Sequence, residues 1–336
     1  MTSVWGTVLT VLVLAVVFVN GWTDAPNAIA SAVATKSISF RGAVRLAAVC
    51  NLLGLVIVSL ISVSVADTIT SMADFGGASL LESEIALCSA MAAIVLFAVA
   101  AWYFGIPTSE SHALMAALAG ASFALGRQGP GGAVWGKILL GLAMSLVMGF
   151  VLGYVATKML GRLLLRARER TLDRLQIAAA GGMAFMHGAQ DGQKFVAVLV
   201  AANMLAKGIR TTEPVNVFDN WVAFLVCGIC MAVGTSIGGK RIIQSVGVKM
   251  VSIRKHQGVC SDLGSAVCLF VASLSGIPMS TTHTKTTAIM GAGMAGDRKS
   301  MDWSVIRKML AAWAFTFPVC GAIGYLLTKL FLLVGQ

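Results

Sequence analysis

The sequence predicts an all-α polytopic membrane protein made of two inverted-topology repeats, with broken or re-entrant helices meeting at a central site. Three observations carry this prediction. Of 336 residues, 57% are hydrophobic and 12% charged, and the mean hydropathy is +0.86, a composition suited to lipid rather than water. Apolar segments recur at roughly the 20 residues that a helix needs to cross a hydrocarbon core of about 30 Å. Finally, a polar, glycine-containing run appears twice within apolar surroundings, as Asn20-Gly-Trp-Thr-Asp24-Ala-Pro-Asn27 and as His187-Gly-Ala-Gln-Asp191-Gly-Gln-Lys194.

In chain order the segments fall at 4–35, interrupted at 20–27, then 43–66, 84–104, 107–126 and 135–157. A second set follows at 175–206, interrupted at 187–194, then 217–239, 259–275, 278–295 and 309–335, for ten crossings in all. The first segment lacks a basic leader and a small-residue cleavage site before Asp24, so it reads as a membrane element and not a removed signal. It either passes through or folds back at 20–27, and the second option would change the crossing count.

The net charge of +11 comes from loops. Lys158, Arg162, Arg166, Arg168, Arg170 and Arg174 crowd one, Lys240, Arg241, Lys249, Arg254 and Lys255 another, and Lys36, Arg41 and Arg45 border a third. The positive-inside rule makes these cytoplasmic and accounts for the charge without nucleic acid, while the segment holding Asp67, Asp74, Glu82 and Glu84 lies outside. With the N-terminus outside, five crossings per half reach the cytoplasm at the arginine-rich loop and return Gln336 to the outside of the cell membrane. An odd number of crossings per half inverts the second copy. Residues 1–157 thus form the first repeat, 158–174 a basic cytoplasmic linker helix with Leu163, Leu164, Leu165 and Leu172 on its apolar side, and 175–336 the second repeat.

Smaller motifs have plain readings. The seven cysteines lie mostly in apolar segments and form no disulfide framework, and Cys227-Gly-Ile-Cys230 is read as packing within a helix. Gly149-x-x-x-Gly153 marks either a dimer face or, as the simpler reading, internal helix packing.

A second repeated motif strengthens the duplication. Gly105-Ile-Pro-Thr-Ser-Glu-Ser-His112 aligns with Gly276-Ile-Pro-Met-Ser-Thr-Thr-His283 at a spacing of 171 positions, close to the 167 between Asp24 and Asp191. Each copy suggests a glycine break, a proline at the first helical position and hydroxyls in the first turn. A helix N-terminus offers unpaired N–H groups and partial positive charge to an oxyanion. Thr108, Ser109 and Ser111 on one side, with Ser280, Thr281 and Thr282 on the other, would add donors; alternatively they only cap buried helices.

An ionised aspartate at membrane depth costs roughly 2.5–3.5 kcal/mol and is retained where it faces a cavity, a partner or a transported ion. Asp24 and Asp191 repel an anion directly, so their place beside anion-suited helix ends implies that a cation arrives as well. Oxygens of Asp24, Asn27, Asp191 and Gln190 can hold Na⁺ or relay H⁺; the plainer alternative is a pair of satisfied core aspartates. Lys194 stands where the first half has Asn27, and its ammonium can replace a bound cation, pair with Asp191 or touch the anion. Glu110 can carry a proton, and His112 and His283, one turn into the hydroxyl helices, are relay candidates or packing residues. No cofactor or metal centre is expected, and no enzyme.

At these residues the chain resembles the Pit inorganic phosphate transporter family, in its bacterial low-affinity form. The family's repeats carry a G-A-N-D-V-A-N-A-type motif, and His187 to Lys194 is similar to the bacterial variant H-G-A-N-D-G-Q-K. Gly276 to His283 resembles the family's G-x-P-x-S-T-T-H, and Gly105 to His112 its G-I-P-T-S-S-S-H. The resemblance spans both halves. It implies uptake of inorganic phosphate, in some members as a neutral metal-phosphate complex, in symport with H⁺ or Na⁺ by alternating access, by a homodimer. It carries Asp24, Asn27 and Asp191 over as site residues, with Ser109, Ser111, Ser280, Thr281 and Thr282 near phosphate. Thr23 and Gln190 replace the family's asparagines, Pro26 a small residue and Glu110 a hydroxyl. These departures keep a sulfate permease in view, since the superfamily includes such proteins. A remote alternative, an intramembrane aspartyl protease, would use two acids sharing a proton but leaves the hydroxyl helices without a role.

Overall fold

The structure, a computed structural model, describes residues 4–127, 131–209, 215–296 and 301–334. Gln336, expected outside, lies beyond the described residues. The first half contains α1 (Val4–Thr23), α2 (Ala25–Ala34), α3 (Phe40–Ile61), α4 (Ser64–Ala73), α5 (Leu80–Tyr103), α6 (Glu110–Ala124) and α7 (Gly132–Leu164). The second contains α8 (Glu169–Ala206), α9 (Trp221–Gly238), α10 (Lys240–Ile243) running into a π turn at Gln244–Lys249, α11 (Lys255–Leu274), α12 (Thr281–Gly296) and α13 (Trp303–Val334). The halves correspond element by element: α1 and α2 with α8, α3 with α9, α4 with α10 and the π turn, then α5, α6 and α7 with α11, α12 and α13. Packing follows the correspondence and interleaves the halves. α8 lies along α3 as α1 lies along α9, and α12 lies along α7 as α6 lies along α13.

Several expectations need correction. Six helices among the described residues are long and apolar enough to cross a membrane, or seven when α9 is joined to the bent α10 stretch; α8 is long enough as well but carries the polar run 187–194, and ten crossings were read from sequence. The 15-residue α6 and 16-residue α12 are too short for a full crossing. They are enclosed on nearly all sides, which is how so many small and polar residues are accommodated there. The segment 43–66 ends at Ser62, and part of the supposed outer loop is α4, whose Val65, Ala66, Ile69 and Met72 are buried. The stretch 158–174 is no separate linker helix, because α7 continues through Leu164 and α8 starts at Glu169. α1 and α2 break only at Asp24 and together span 31 residues, which favours passing through over folding back.

The largest correction concerns 187–194, expected to interrupt a helix. α8 runs unbroken for 38 residues, about 57 Å at 1.5 Å per residue. Its glycines serve close packing. A Cβ on Gly188 would lie 2.0 Å from the Asn51 carbonyl oxygen of α3, and in return one on Gly54 of α3 would lie 1.7 Å from the Phe185 carbonyl oxygen of α8. The symmetric pair repeats this: Gly21 of α1 meets Met231 of α9 at 2.1 Å and Gly234 of α9 meets Phe18 of α1 at 2.1 Å. Gly149 and Gly153 face Thr284 and Ala288 of α12, so that motif is internal packing.

The glycines of the two Gly-Ile-Pro motifs also act differently from expectation. Gly105 and Gly276 adopt φ of +68° and +64° and end the preceding helices α5 and α11. Ile106 donates to the Ala101 carbonyl and Gly105 to that of Trp102, as Ile277 does to Ala272 and Gly276 to Ser273, the paired bonds of a Schellman cap. Pro107 and Pro278 therefore sit in extended leaders, ahead of the helices rather than at their first positions.

Gly188→Ala should destabilise the protein by about 1–3 kcal/mol through overpacking against α3. Gly182→Ala in the same helix, where an added Cβ meets nothing within 4 Å, should be neutral or stabilising by up to about 1 kcal/mol. Thermal unfolding of the two variants in detergent checks the contrast.

Candidate functional site: a sealed polar centre between the repeats

The extended leaders 106–109 and 277–280 are each fixed by the opposite half, and the second also by Gln190 of its own half. Thr68 of α4 donates to the Gly276 carbonyl at 3.0 Å, and Ser245 of the π turn donates to that of Gly105 at 2.8 Å. Trp313 Nε1 donates to the Pro107 carbonyl at 3.0 Å, and Gln190 accepts from the Met279 amide at 3.3 Å while donating to the Ile277 carbonyl at 3.3 Å. With leaders so held, Ser109 caps α6 by accepting from the His112 amide at 3.2 Å and Ser280 caps α12 by accepting from that of His283 at 3.1 Å. Ser280 Oγ donates to Ser109 Oγ at 2.8 Å, so the two helix starts meet head to head. A cap of this kind leaves the first-turn amides of Ser111, Thr281 and Thr282 without an acceptor in the preceding turn.

Around this meeting point the acids converge. Ligand atoms of Asp24, His187 and Asp191 lie within 4.8 Å of one another. Asp191 Oδ1 accepts from Lys194 Nζ at 2.7 Å and from Ser111 Oγ at 3.4 Å, and Oδ2 accepts from Thr281 Oγ1 at 3.0 Å with His187 Nε2 3.4 Å away. Lys194 Nζ also donates to Ser111 Oγ at 2.7 Å and to the Met279 carbonyl at 2.5 Å. Thr282 donates to the Asp24 carboxylate, and Asn27 Nδ2 donates to Asp24 Oδ1 at 2.9 Å and to Thr282 Oγ1 at 3.1 Å. Glu110 accepts from Thr23, and Asn20 Nδ2 bridges Glu110 Oε2 and Asp191 Oδ2 at 3.3 Å each. His187 Nδ1 is 3.2 Å from Asn51 Oδ1.

The centre is closed. Asp24, Asn27, Glu110, Ser111, Asp191 and Lys194 are each at most 1% exposed. Three carboxyls face one ammonium, an imbalance that a low-dielectric interior tolerates only with added positive charge or protons. Asn20 Oδ1, Asp24 Oδ2 and Asn27 Oδ1, three buried oxygens near the α1–α2 junction, receive no N–H or hydroxyl donor, and the Asp24 and Glu110 carboxyls lie within hydrogen-bond reach of each other. Buried oxygens without donors are groups that a hard cation can satisfy.

Of the residues singled out from sequence, Asp24, Asn27, Glu110, Ser111, Asp191, Lys194, Thr281 and Thr282 come together here. Ser109 and Ser280 act as caps, and Gln190 is occupied with the α12 leader. Thr108 is buried one residue ahead of the cap and has no hydrogen bond to the others. His112 and His283 pack against each other as tilted rings with centroids 4.2 Å apart, and His283 packs likewise on Trp313 at 3.9 Å. Asn20, Thr23, His187 and Asn51 join the site without having been picked. The signal for Asn20 was present in the numbering, since the 171-residue spacing of the second motif places it opposite Asp191.

Fold and site together define a class: a membrane carrier of two related halves closed around a charged centre. The chain belongs to the phosphate transporter family, whose family model matches residues 20–172 and again 166–324. It is 34% identical over 332 residues to a probable low-affinity inorganic phosphate transporter of Bacillus subtilis, covering 94% of this chain and 95% of the relative. A probable low-affinity inorganic phosphate transporter of Rhizobium meliloti is 33% identical over 92% of this chain and 91% of its own length. Among solved structures, one titled "The sodium-dependent phosphate transporter" superposes with a TM-score of 0.87 over 99% of this chain and 100% of that one, at 20% identity, which establishes the common fold. The family is one of transporters and not of enzymes, which sets aside the protease reading.

Lys194→Met leaves Asp191 without its buried partner and should cost about 3–5 kcal/mol. Combining it with Asp191→Asn should recover most of the loss, as read by thermal unfolding of the purified protein.

Proposed function

We propose that this protein takes up inorganic phosphate in symport with a small cation, exposing its centre to the two membrane faces in turn. The observation that carries the reading is that Asp24 and Asp191, one from each half, meet beside the opposed starts of α6 and α12. The family membership and the relatives' printed names support phosphate as the oxyanion.

The chemistry divides between the two sides of the centre. The oxygens of Asn20, Asp24 and Asn27 that receive no donor would take up the cation on the first half's side. In the second half Lys194 occupies the place of Asn27, and its ammonium at 2.7 Å from Asp191 stands where a second cation would sit. Phosphate is held by first-turn amides of α6 and α12 with the hydroxyls of Ser111, Thr281 and Thr282 turned from the carboxylates to the anion. This order is physically required, since the cation has to neutralise Asp24 before an anion can approach it. Na⁺ suits the oxygen set. H⁺ is the second reading, favoured by Glu110, a third buried carboxyl that a proton would neutralise. The basic loops face the cytoplasm and the acidic segment from Asp67 to Glu84 the outside, and an inward cation gradient drives the cycle inward.

Asp24→Asn and Asp191→Asn should each lower phosphate accumulation by at least about a hundredfold, as expected when charge stabilisation worth some 3 kcal/mol is removed from a transport cycle. Radiolabelled phosphate uptake into proteoliposomes under imposed Na⁺ or pH gradients, with sulfate as competitor, measures this. Normal uptake in both variants, or uptake indifferent to either gradient, rejects the reading.

A further inference from the structure

A second charged cluster lies apart from the centre. Asp262 of α11 pairs with Lys285 of α12, both 0% exposed. Ser31 of α2 donates to the two Asp262 oxygens at 2.8 and 2.7 Å and accepts from Lys285 Nζ at 3.0 Å. Gln176 of α8 donates to Asp262 Oδ2 at 2.5 Å. Four helices from both halves are tied at one point, and Ser31 and Gln176 are also 0% exposed.

Its position follows from the helices that carry it. Ser31 lies two turns past Asp24 on α2, which ends next to Lys36. Lys285 lies one turn past Thr281 on α12. Asp262 and Gln176 lie about two turns into α11 and α8, which start at Lys255 and at Glu169 among arginines. The cluster therefore sits between the sealed centre and the basic face.

The repeat supplies an internal comparison. At the spacings that relate the halves, Ser31, Gln176, Asp262 and Lys285 correspond to Val198, Leu9, Met91 and Leu114. These four are also buried, and they share one hydrophobic cluster. The same place in the fold is filled by hydrocarbon on one side of the centre and by an ion pair on the other. Packing alone does not need the charges, because an apolar set of similar size fills the equivalent space, and buried pairs are often replaceable in this way without loss of stability.

We propose that Lys285 and Asp262 are further residues of the transport reaction, positioning residues that form a polar lock over the path from the centre to the basic face. An apolar plug loses its burial when water enters. A charged lock regains hydration as its pairing is lost, so it opens at smaller cost. Freed from Asp262, the Lys285 ammonium lines the path and draws the oxyanion outward from the centre to the basic side. This rests on the phosphate reading above.

The test transplants the first half's solution: Ser31→Val, Gln176→Leu, Asp262→Met and Lys285→Leu together. Equilibrium phosphate binding to the purified protein and initial uptake rates in proteoliposomes are measured for this variant and for the wild type. Binding should stay within about twofold while the maximal uptake rate falls at least about tenfold, the split expected when a step after binding is slowed. A folded variant that transports at the wild-type rate overturns the proposal, and so does one whose loss lies wholly in binding. If the fourfold variant does not fold, a charge swap decides. Asp262→Lys with Lys285→Asp should recover uptake lost in Lys285→Asp alone, and equal loss in both counts against the lock. A wild-type protein that binds no phosphate removes the underlying reading instead, a result distinct from either.

Discussion

Charge buried away from water is the constraint on which the rest of this structure depends. Asp24, Glu110 and Asp191 are held together by Lys194, by His187, by the asparagines Asn20 and Asn27 and by the hydroxyls of Thr23, Ser111, Thr281 and Thr282. Most of these donors stand on other helices than the acid they serve, so the centre is assembled from α1, α2, α6, α8 and α12 together. The short helices α6 and α12 exist in this form because their starts have to end inside the protein, where unpaired amides are useful. Their leaders are then fastened by α4 and the π turn of the opposite half, which makes each repeat incomplete without its partner.

The same requirement explains the packing. Polar side chains can be gathered at one point only if backbones approach closely around it. Reciprocal glycine contacts supply that approach, α1 against α9 and α3 against α8, at equivalent positions in each half. Small residues matter more than hydrophobic drive here, as lipid is no less apolar than a leucine-lined interface. Symmetry in the scaffold coexists with asymmetry in the chemistry. Lys194 stands at the position equivalent to Asn27, and Lys285 and Asp262 stand at those equivalent to Leu114 and Met91. A carrier whose two faces had identical chemistry would have no built-in difference between loading and release, and these substitutions are where the halves stop being equivalent.

Much was legible from composition and repeated motifs, because lipid imposes strong rules on a chain. Segments of about 20 apolar residues, loop charge and the two duplicated motifs led to the all-α class, the two halves and most of the centre. The errors share a cause. Glycine and polar residues at 187–194 resemble a helix break in sequence, but whether glycine loosens a helix or lets another press against it depends on what stands opposite. In α8 it is Asn51 and Leu55 of α3. The prolines after Gly105 and Gly276 resemble helix starts, yet Schellman caps behind them spend that turn on ending α5 and α11. Crossings were overcounted because hydropathy does not distinguish a helix surrounded by lipid from a short one surrounded by protein.

By itself the sequence determined that the chain enters a membrane, that it is duplicated, and that two acids and two hydroxyl-rich helix starts recur in it, since composition and spacing are properties of the chain alone. Only the tertiary structure decided which groups meet. Asn20 reaches Asp191 across 171 positions and Ser280 reaches Ser109 across another 171. Lys285, set among threonines in α12, and Asp262, inside α11, become one buried pair tied to Ser31 and Gln176. Such pairings are fixed by how helices pack, and packing is set by side-chain shape summed over both halves, which no local pattern records.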